Sequence, residues 1–305
     1  MPSPDTHASA IPAAAYYRVS QPGTLLVSGA TRQDYLQRQT TNDVGLLSAQ
    51  RAVPTVLTNP SARILEVFTV VQHGEAMLLL TQAGHAAGLA AYFKRHIFFN
   101  DDVSATDVSA ECEQVEIVGV QAQAALAALD LPAPATLDEV ASGTLEGQGV
   151  YALAEDAGIR LLVPAGVLPA LLAALQTAGL AELTASAREQ LRIEAGRAGA
   201  PEFTDANTPF ELGLRRYVSD TKGCYTGQEV LARQVTYDKV TRSLALMRTA
   251  AGVQPGASVQ LEGRTLGSVS SVAASGDTGL ALAVLRKPFE IGQEVSIGGH
   301  PATIL

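Results

Sequence analysis

The octapeptide KGCYTGQE, Lys222 to Glu229, places one of only two cysteines in 305 residues between glycine and tyrosine, two positions after a lysine. A cysteine works as a nucleophile or metal ligand in its thiolate form, which nearby cations and the unpaired N–H groups of a helix start both favour. Thr226-Gly227-Gln228-Glu229 has the T-x-x-E spacing of a capping box ahead of Val230 and Leu231, and predicts a helix opening at Thr226. Cys224 is then expected just upstream of a helix N-terminus with Lys222 beside it, as a reactive thiol. The same residues also suit a small side chain packed in a tight turn, the common fate of free cysteine.

A second candidate lies upstream in LRIEAGRAGAPEFTDANTPFELGL, where Glu211 follows Thr208-Pro209-Phe210 and precedes Leu212-Gly213-Leu214. If it is buried, a carboxylate in so apolar a stretch needs a partner, either a cation or the N–H groups of a ligand; an exposed turn glutamate is the other reading.

Several familiar chemistries have no footing. His7, His73, His85, His96 and His300 have no HExxH or other short ligand spacing, and Cys112 and Cys224 form no CxxC pair. A local metal site and a disulfide framework are therefore not expected. GxxxxGK[ST] and strand-linked GxGxxG loops are absent, which disfavours a nucleotide enzyme. With 21 basic against 30 acidic residues, the formal charge of -9 opposes phosphate backbones and makes direct nucleic-acid binding an unfavoured partnership.

The elements that must hold these residues read as layered α+β. Hydrophobic residues at 47% and charged residues at 17% describe a globular chain with a real core, and 305 residues predict two or three compact units. No apolar run is long enough for a membrane span, and the Ala-, Ser- and Pro-rich first dozen residues read as a loose leader, so the cytoplasm is the expected location. From Thr24 the chain reads as strand, Gly29 turn and helix. Two apolar runs then flank His73 to Glu75 as a hairpin, and a helix follows at Ala83 to His96. ECEQVEIVGV and QAQAALAALD repeat strand and helix, and two strands about Asp156 to Gly158 lead into another helix. These are two split β-α-β lobes. From Arg242 the short Val-, Ser- and Thr-bearing runs separated by Pro255-Gly256, Gly263, Gly276 and Gly292 predict a small barrel.

Taken together, LRIEAG, TPFELGL, KGCYTGQEVLAR and LLVSGATRQDYLQRQTTNDV resemble the folate-binding family that contains the glycine-cleavage T-protein, an aminomethyltransferase, and the YgfZ-type folate-binding proteins; KGCYTGQE looks specifically like the YgfZ branch. The resemblance implies two ferredoxin-like lobes and a C-terminal β-barrel in a cloverleaf around a central channel for tetrahydrofolate or a one-carbon derivative. It implies a discontinuous first lobe from residues 1–50 and 136–240, a second lobe at 51–135, and a barrel at 241–305. On this mapping Glu211 accepts a bidentate pair of N–H bonds from the pterin, Tyr225 packs on the channel wall, and Arg233 either meets a folate carboxylate or stabilises its loop. Asn42-Asp43 matches a structural turn.

Two departures matter. Where T-proteins carry an Asp-Asp pair, RILEVF has Glu66-Val67, and the Pro-x-Tyr-Gly that follows their LEAG segment is missing after Gly196. Glu66 can replace the lost acid only if it points into the channel, and Val67 then points elsewhere. The resemblance therefore implies an accessory factor, with Cys224 and Lys222 as its chemical groups, in preference to an aminomethyltransferase. YgfZ-type proteins support assembly or repair of iron-sulfur enzymes, some of which modify tRNA, so the implied partners are folate and iron-sulfur enzymes or assembly factors.

Overall fold

The computed structural model describes residues 13–275 and 278–305; the expected leader and the Gly276 turn lie outside them. Six α-helices are present among the described residues: α1 (Arg32–Gln39), α2 (Ala86–His96), α3 (Ala122–Ala128), α4 (Leu168–Thr177), α5 (Ala185–Glu194) and α6 (Gln228–Thr236). None is long and apolar enough to cross a membrane. The chain divides into two compact units, one from the N-terminal segment to Ser20 with Ala110–Ala185, the other Gln21–Ser109 with Ser186–Leu305.

The first unit is a six-stranded sheet in the order Ala181–Glu182, Ala15–Arg18, Cys112–Val118, Gly158–Pro164, Gln148–Glu155, Val140–Leu145. Its pairs are antiparallel except the first. Alternation along Cys112–Val118 sends Val115 and Ile117 into a core with Leu126 of α3 and Leu171 and Leu175 of α4. The intervening Gln114 and Glu116 face the other way and are met by Arg160, whose guanidinium reaches Gln114 Oε1 at 2.8 Å and Glu116 Oε1 at 3.0 Å.

The second unit holds a five-stranded antiparallel sheet in the order Val53–Thr58, Ile64–His73, Ala76–Thr81, Gly23–Ser28, Ser104–Asp107. The expected hairpin turns at Gly74, whose φ of 57° lies in the left-handed region that glycine tolerates. One face of the sheet packs on Tyr35 and Leu36 of α1 and Leu89 and Phe93 of α2. On the other face Val56, Ile64 and Val67 meet Leu212, Leu214, Tyr217 and Val284. From Arg242 onward six antiparallel strands close into a barrel around Met247, Val259, Ala283, Leu285 and Ile297. The fold is thus mixed α+β with a C-terminal barrel.

Strand pairing partitions the chain differently from the expected boundaries. Gly23–Ser28 pairs with Ala76–Thr81 and Ser104–Asp107, whereas Ala15–Arg18 pairs with Cys112–Val118, so the crossovers fall near residues 20 and 110, not 50 and 135. Both edges of each apolar strand can accept a neighbour, and only the tertiary register selects one.

A buried charge cluster ties α5 to the barrel. Glu202, fully buried, receives Arg192 Nη1 at 3.0 Å, the Gly199 N–H at 2.8 Å and the Ser271 hydroxyl at 2.6 Å, and Arg192 Nη2 also donates to Ser271. Glu202→Ala strips the Arg192 Nη1 group, the Gly199 N–H and the Ser271 hydroxyl of their buried acceptor while Glu189 still holds Arg192 Nε and Nη2, and lowers stability by about 3 kcal/mol, whereas Ser271→Ala costs about 1 kcal/mol; urea denaturation measures both.

Candidate functional site

The KGCY loop is fastened from below. Lys222 is buried, and its ammonium donates to the carbonyls of Gln37 and Thr40 at 2.6 Å and of Asn42 at 2.7 Å. These carbonyls stand at and just beyond the end of α1, where backbone acceptors lack helical partners and the helix dipole is negative. Three acceptors match the three hydrogens of an ammonium. Burial pushes the Lys222 ammonium down to about 8, with the Asp43 carboxylate opposing. The neighbouring chain is joined to the same place: the Ser219 N–H donates to the Thr41 carbonyl at 3.0 Å, the Thr41 hydroxyl to the Tyr217 carbonyl at 2.6 Å, and the Asn42 amide to the Arg216 carbonyl at 3.0 Å. Asp43 caps a short 3-10 turn at Val44–Leu46 by accepting from the Gly45 N–H, which is the structural role expected of Asn42-Asp43.

Lys222 therefore clamps the loop to the end of α1. All its donors are taken by carbonyls. The Cys224 side chain is exposed, which removes the packed-residue reading. Tyr225 turns inward, packing with Ala62, Val218 and Leu231 under the Lys222 ammonium, 5.1 Å from the ring centroid. Burial pushes its phenol up to about 12, with Asp220 adding and Arg215 opposing.

The capping box expected at Thr226 does not form. The Thr226 carbonyl accepts from the Thr58 hydroxyl at 2.7 Å, and the chain enters α6 through Gly227 at φ 85°. A Cβ on Gly227 would lie 2.8 Å from the Asn59 carbonyl oxygen, so both the conformation and the close approach require glycine. Glu229, expected to cap, pairs instead with Arg233 one turn on. Arg233 thus pairs within its own helix, at an exposed position.

The capping box sits at Thr208 to Glu211, opening the 3-10 turn Pro209–Leu212. Glu211 is buried, and its partner is a pair of arginines. Arg242 Nε donates to Oε1 at 2.8 Å and Nη2 to Oε2 at 2.7 Å, Arg63 Nη1 approaches Oε2 at 3.4 Å, and the Thr208 N–H donates to the same oxygen at 2.8 Å. The bidentate position on the carboxylate, expected to receive a pterin, is taken by Arg242 in this structure. Glu66 is also enclosed. Its Oε2 lies 2.7 Å from Nδ1 of His85 at the start of α2, and its Oε1 accepts from the Gln82 amide at 3.0 Å. Val67 faces the opposite side, against Leu212 and Tyr217. The strand therefore shows no free acid on its Val67 face.

Of the six expected site residues, Lys222, Cys224 and Tyr225 share one loop; no hydrogen bond or ion pair among the described residues joins Glu66, Glu211 or Arg233 to it. Sequence reasoning passed over Glu194, the last residue of α5 and the acid of LRIEAG. It is half-buried, and its Oε1 accepts from Gln190 at 2.8 Å while Oε2 has no protein partner among the described residues. The signal was its place in a quoted motif. No group of three or more metal-ligating side chains occurs among the described residues.

Removing the Lys222 ammonium orphans three carbonyls. Lys222→Met is expected to lower stability by about 3 kcal/mol, and Lys222→Arg not to restore it, because a planar fork does not fit three converging acceptors; thermal unfolding by circular dichroism measures both.

Residues 5–152 match the GCVT N-terminal domain family. Over 298 residues the chain is 27% identical to a chloroplastic protein of Arabidopsis thaliana that carries the name transferase, covering 90% of this chain and 66% of that protein. It is 28% identical to an aminomethyltransferase of Nostoc sp., covering 96% of this chain and 84% of that one, and 29% identical to one of Geobacillus kaustophilus, covering 93% and 82%. The crystal structure of glycine cleavage system aminomethyltransferase T from Bartonella henselae superposes with a TM-score of 0.81 at 21% identity, over 95% of this chain and 84% of that one. The chain thus carries a match to the GCVT N-terminal domain and has the fold of the glycine-cleavage T-protein.

Proposed function

We propose that this chain is a tetrahydrofolate-binding accessory protein that supports assembly or repair of iron-sulfur enzymes, tRNA-modifying ones among them, through the thiol of Cys224. The observation that carries this reading is an exposed sulfur on a loop immobilised from beneath by a buried ammonium. A rigid support presents the thiol at low entropic cost to a partner. One sulfur does not hold a cluster, so the partner supplies the other ligands.

The folate part rests on the fold and on Glu194. An aminopyrimidine edge needs a carboxylate oxygen that the protein has not already filled. Glu194 retains one, and Glu211 does not. Bound tetrahydrofolate would supply a carrier for one-carbon units, and Glu194 would orient its pterin. Aminomethyl transfer, the activity in the names of the Nostoc and Geobacillus proteins, is disfavoured because Glu66 is held by His85 and Gln82 and its neighbour is valine.

Tetrahydrofolate titration followed by calorimetry tests the first part: Glu194→Gln is expected to weaken binding at least about tenfold with unchanged melting, while Glu211→Gln lowers the melting temperature. Cys224→Ser, at an exposed position, is expected to fold and bind folate normally but to lose support of iron-sulfur enzyme activity in a strain lacking the native gene. Full support by Cys224→Ser would remove the thiol from the function, and sustained methylenetetrahydrofolate formation from an aminomethyl donor would make the protein a transferase.

A further inference from the structure

A cavity of about 1220 Å³ opens in the second unit between the segment 201–211 and the barrel wall. Its charged lining is four cations, Arg63, Arg242, Arg286 and Lys287, against the single carboxylate of Glu211. In a chain of net charge -9 this is a local reversal of sign.

The arginines on the inner wall are already set. Arg63 and Arg242 both donate to the Ala206 carbonyl, at 2.9 and 2.6 Å, and both meet Glu211. The two at the rim are not. Arg286 and Lys287 are exposed and have no ion-pair partner among the described residues. Moreover, Arg286 stands directly opposite Arg242 in the pairing of strands Arg242–Ala250 and Thr278–Arg286. Like charges facing one another across a ladder are destabilising. Glu211 answers one of the two, and no carboxylate among the described residues answers the other.

The rest of the lining narrows the ligand. Ser258, Thr265 and Ser268 supply hydroxyls, and no aromatic ring is present among the lining residues, so a planar heterocycle finds nothing to stack on. Guanidinium, ammonium and hydroxyl groups lining one cavity suit a compact oxyanion with several charges.

We propose that this cavity is a binding site for a small multiply charged oxyanion, an oligophosphate or a polycarboxylate, received between Arg286, Lys287 and the braced pair Arg63 and Arg242. The site is distinct from the Cys224 loop and does not rest on folate binding, since its test uses simple anions alone.

Isothermal titration of the whole chain with tripolyphosphate, citrate and acetate at low salt reads the site directly. Tripolyphosphate or citrate is expected to bind saturably at one per chain, acetate not. Tighter binding of tripolyphosphate assigns the natural ligand to phosphates, and tighter citrate to carboxylates. The double variant Arg286→Ala/Lys287→Ala removes only exposed side chains; it is expected to melt as the native chain does and to weaken binding at least about tenfold. Equal titration of variant and native chain overturns the proposal, as does failure of both polyanions to bind better than acetate. Saturable binding of a long RNA without binding of tripolyphosphate also overturns it, in favour of an extended nucleic-acid surface.

Discussion

The buried ammonium of Lys222 is the constraint on which the geometry around Cys224 depends. A charge taken out of water is costly unless hydrogen bonds replace its hydration. Here the replacements are three carbonyls at and just beyond the end of α1, about 180 residues earlier in the chain. One side chain thus satisfies orphan acceptors and fastens a loop to a helix. Ser219, Thr41 and Asn42 extend the seam, and Tyr225 fills the space beneath the ammonium. With Lys222 and Tyr225 turned inward, Cys224 between them is left at the surface.

The same rule governs the carboxylates. Glu202, Glu211 and Glu66 are all buried, and each is answered from within the protein, by Arg192, by Arg242 with Arg63, and by His85 with Gln82. An acid whose lone pairs are filled in this way holds structure together and is poorly placed to take a proton from a substrate. Half-buried Glu194, by contrast, keeps one carboxylate oxygen without a protein partner among the described residues, and the Cys224 thiol is exposed. Excess positive charge collects where Arg286 and Lys287 lack such answers.

Much of the architecture was legible from patterning. Apolar alternation in ECEQVEIV marks a strand whose odd residues 115 and 117 enter the core, the His73 to Glu75 turn closes a hairpin, and the Gly- and Pro-punctuated C-terminal runs form a closed barrel. These signals are local, and local sterics and burial suffice to produce them. Lobe membership was not legible, because an apolar strand reads the same whichever sheet it joins.

What the sequence by itself determined is the set of elements, the α+β class with its barrel, the need of any buried Glu211 for a partner, and the loop that carries Cys224. What only the tertiary structure decided is which partner each charge finds. Lys222, two residues before Cys224, bonds to the end of α1; Glu211, in an apolar stretch, pairs with Arg242; and α6 opens at Gly227 with positive φ, not at the T-x-x-E spacing of Thr226. A buried charge is stabilised by whatever donors or acceptors lie within about 3 Å, and chain separation says nothing about that distance.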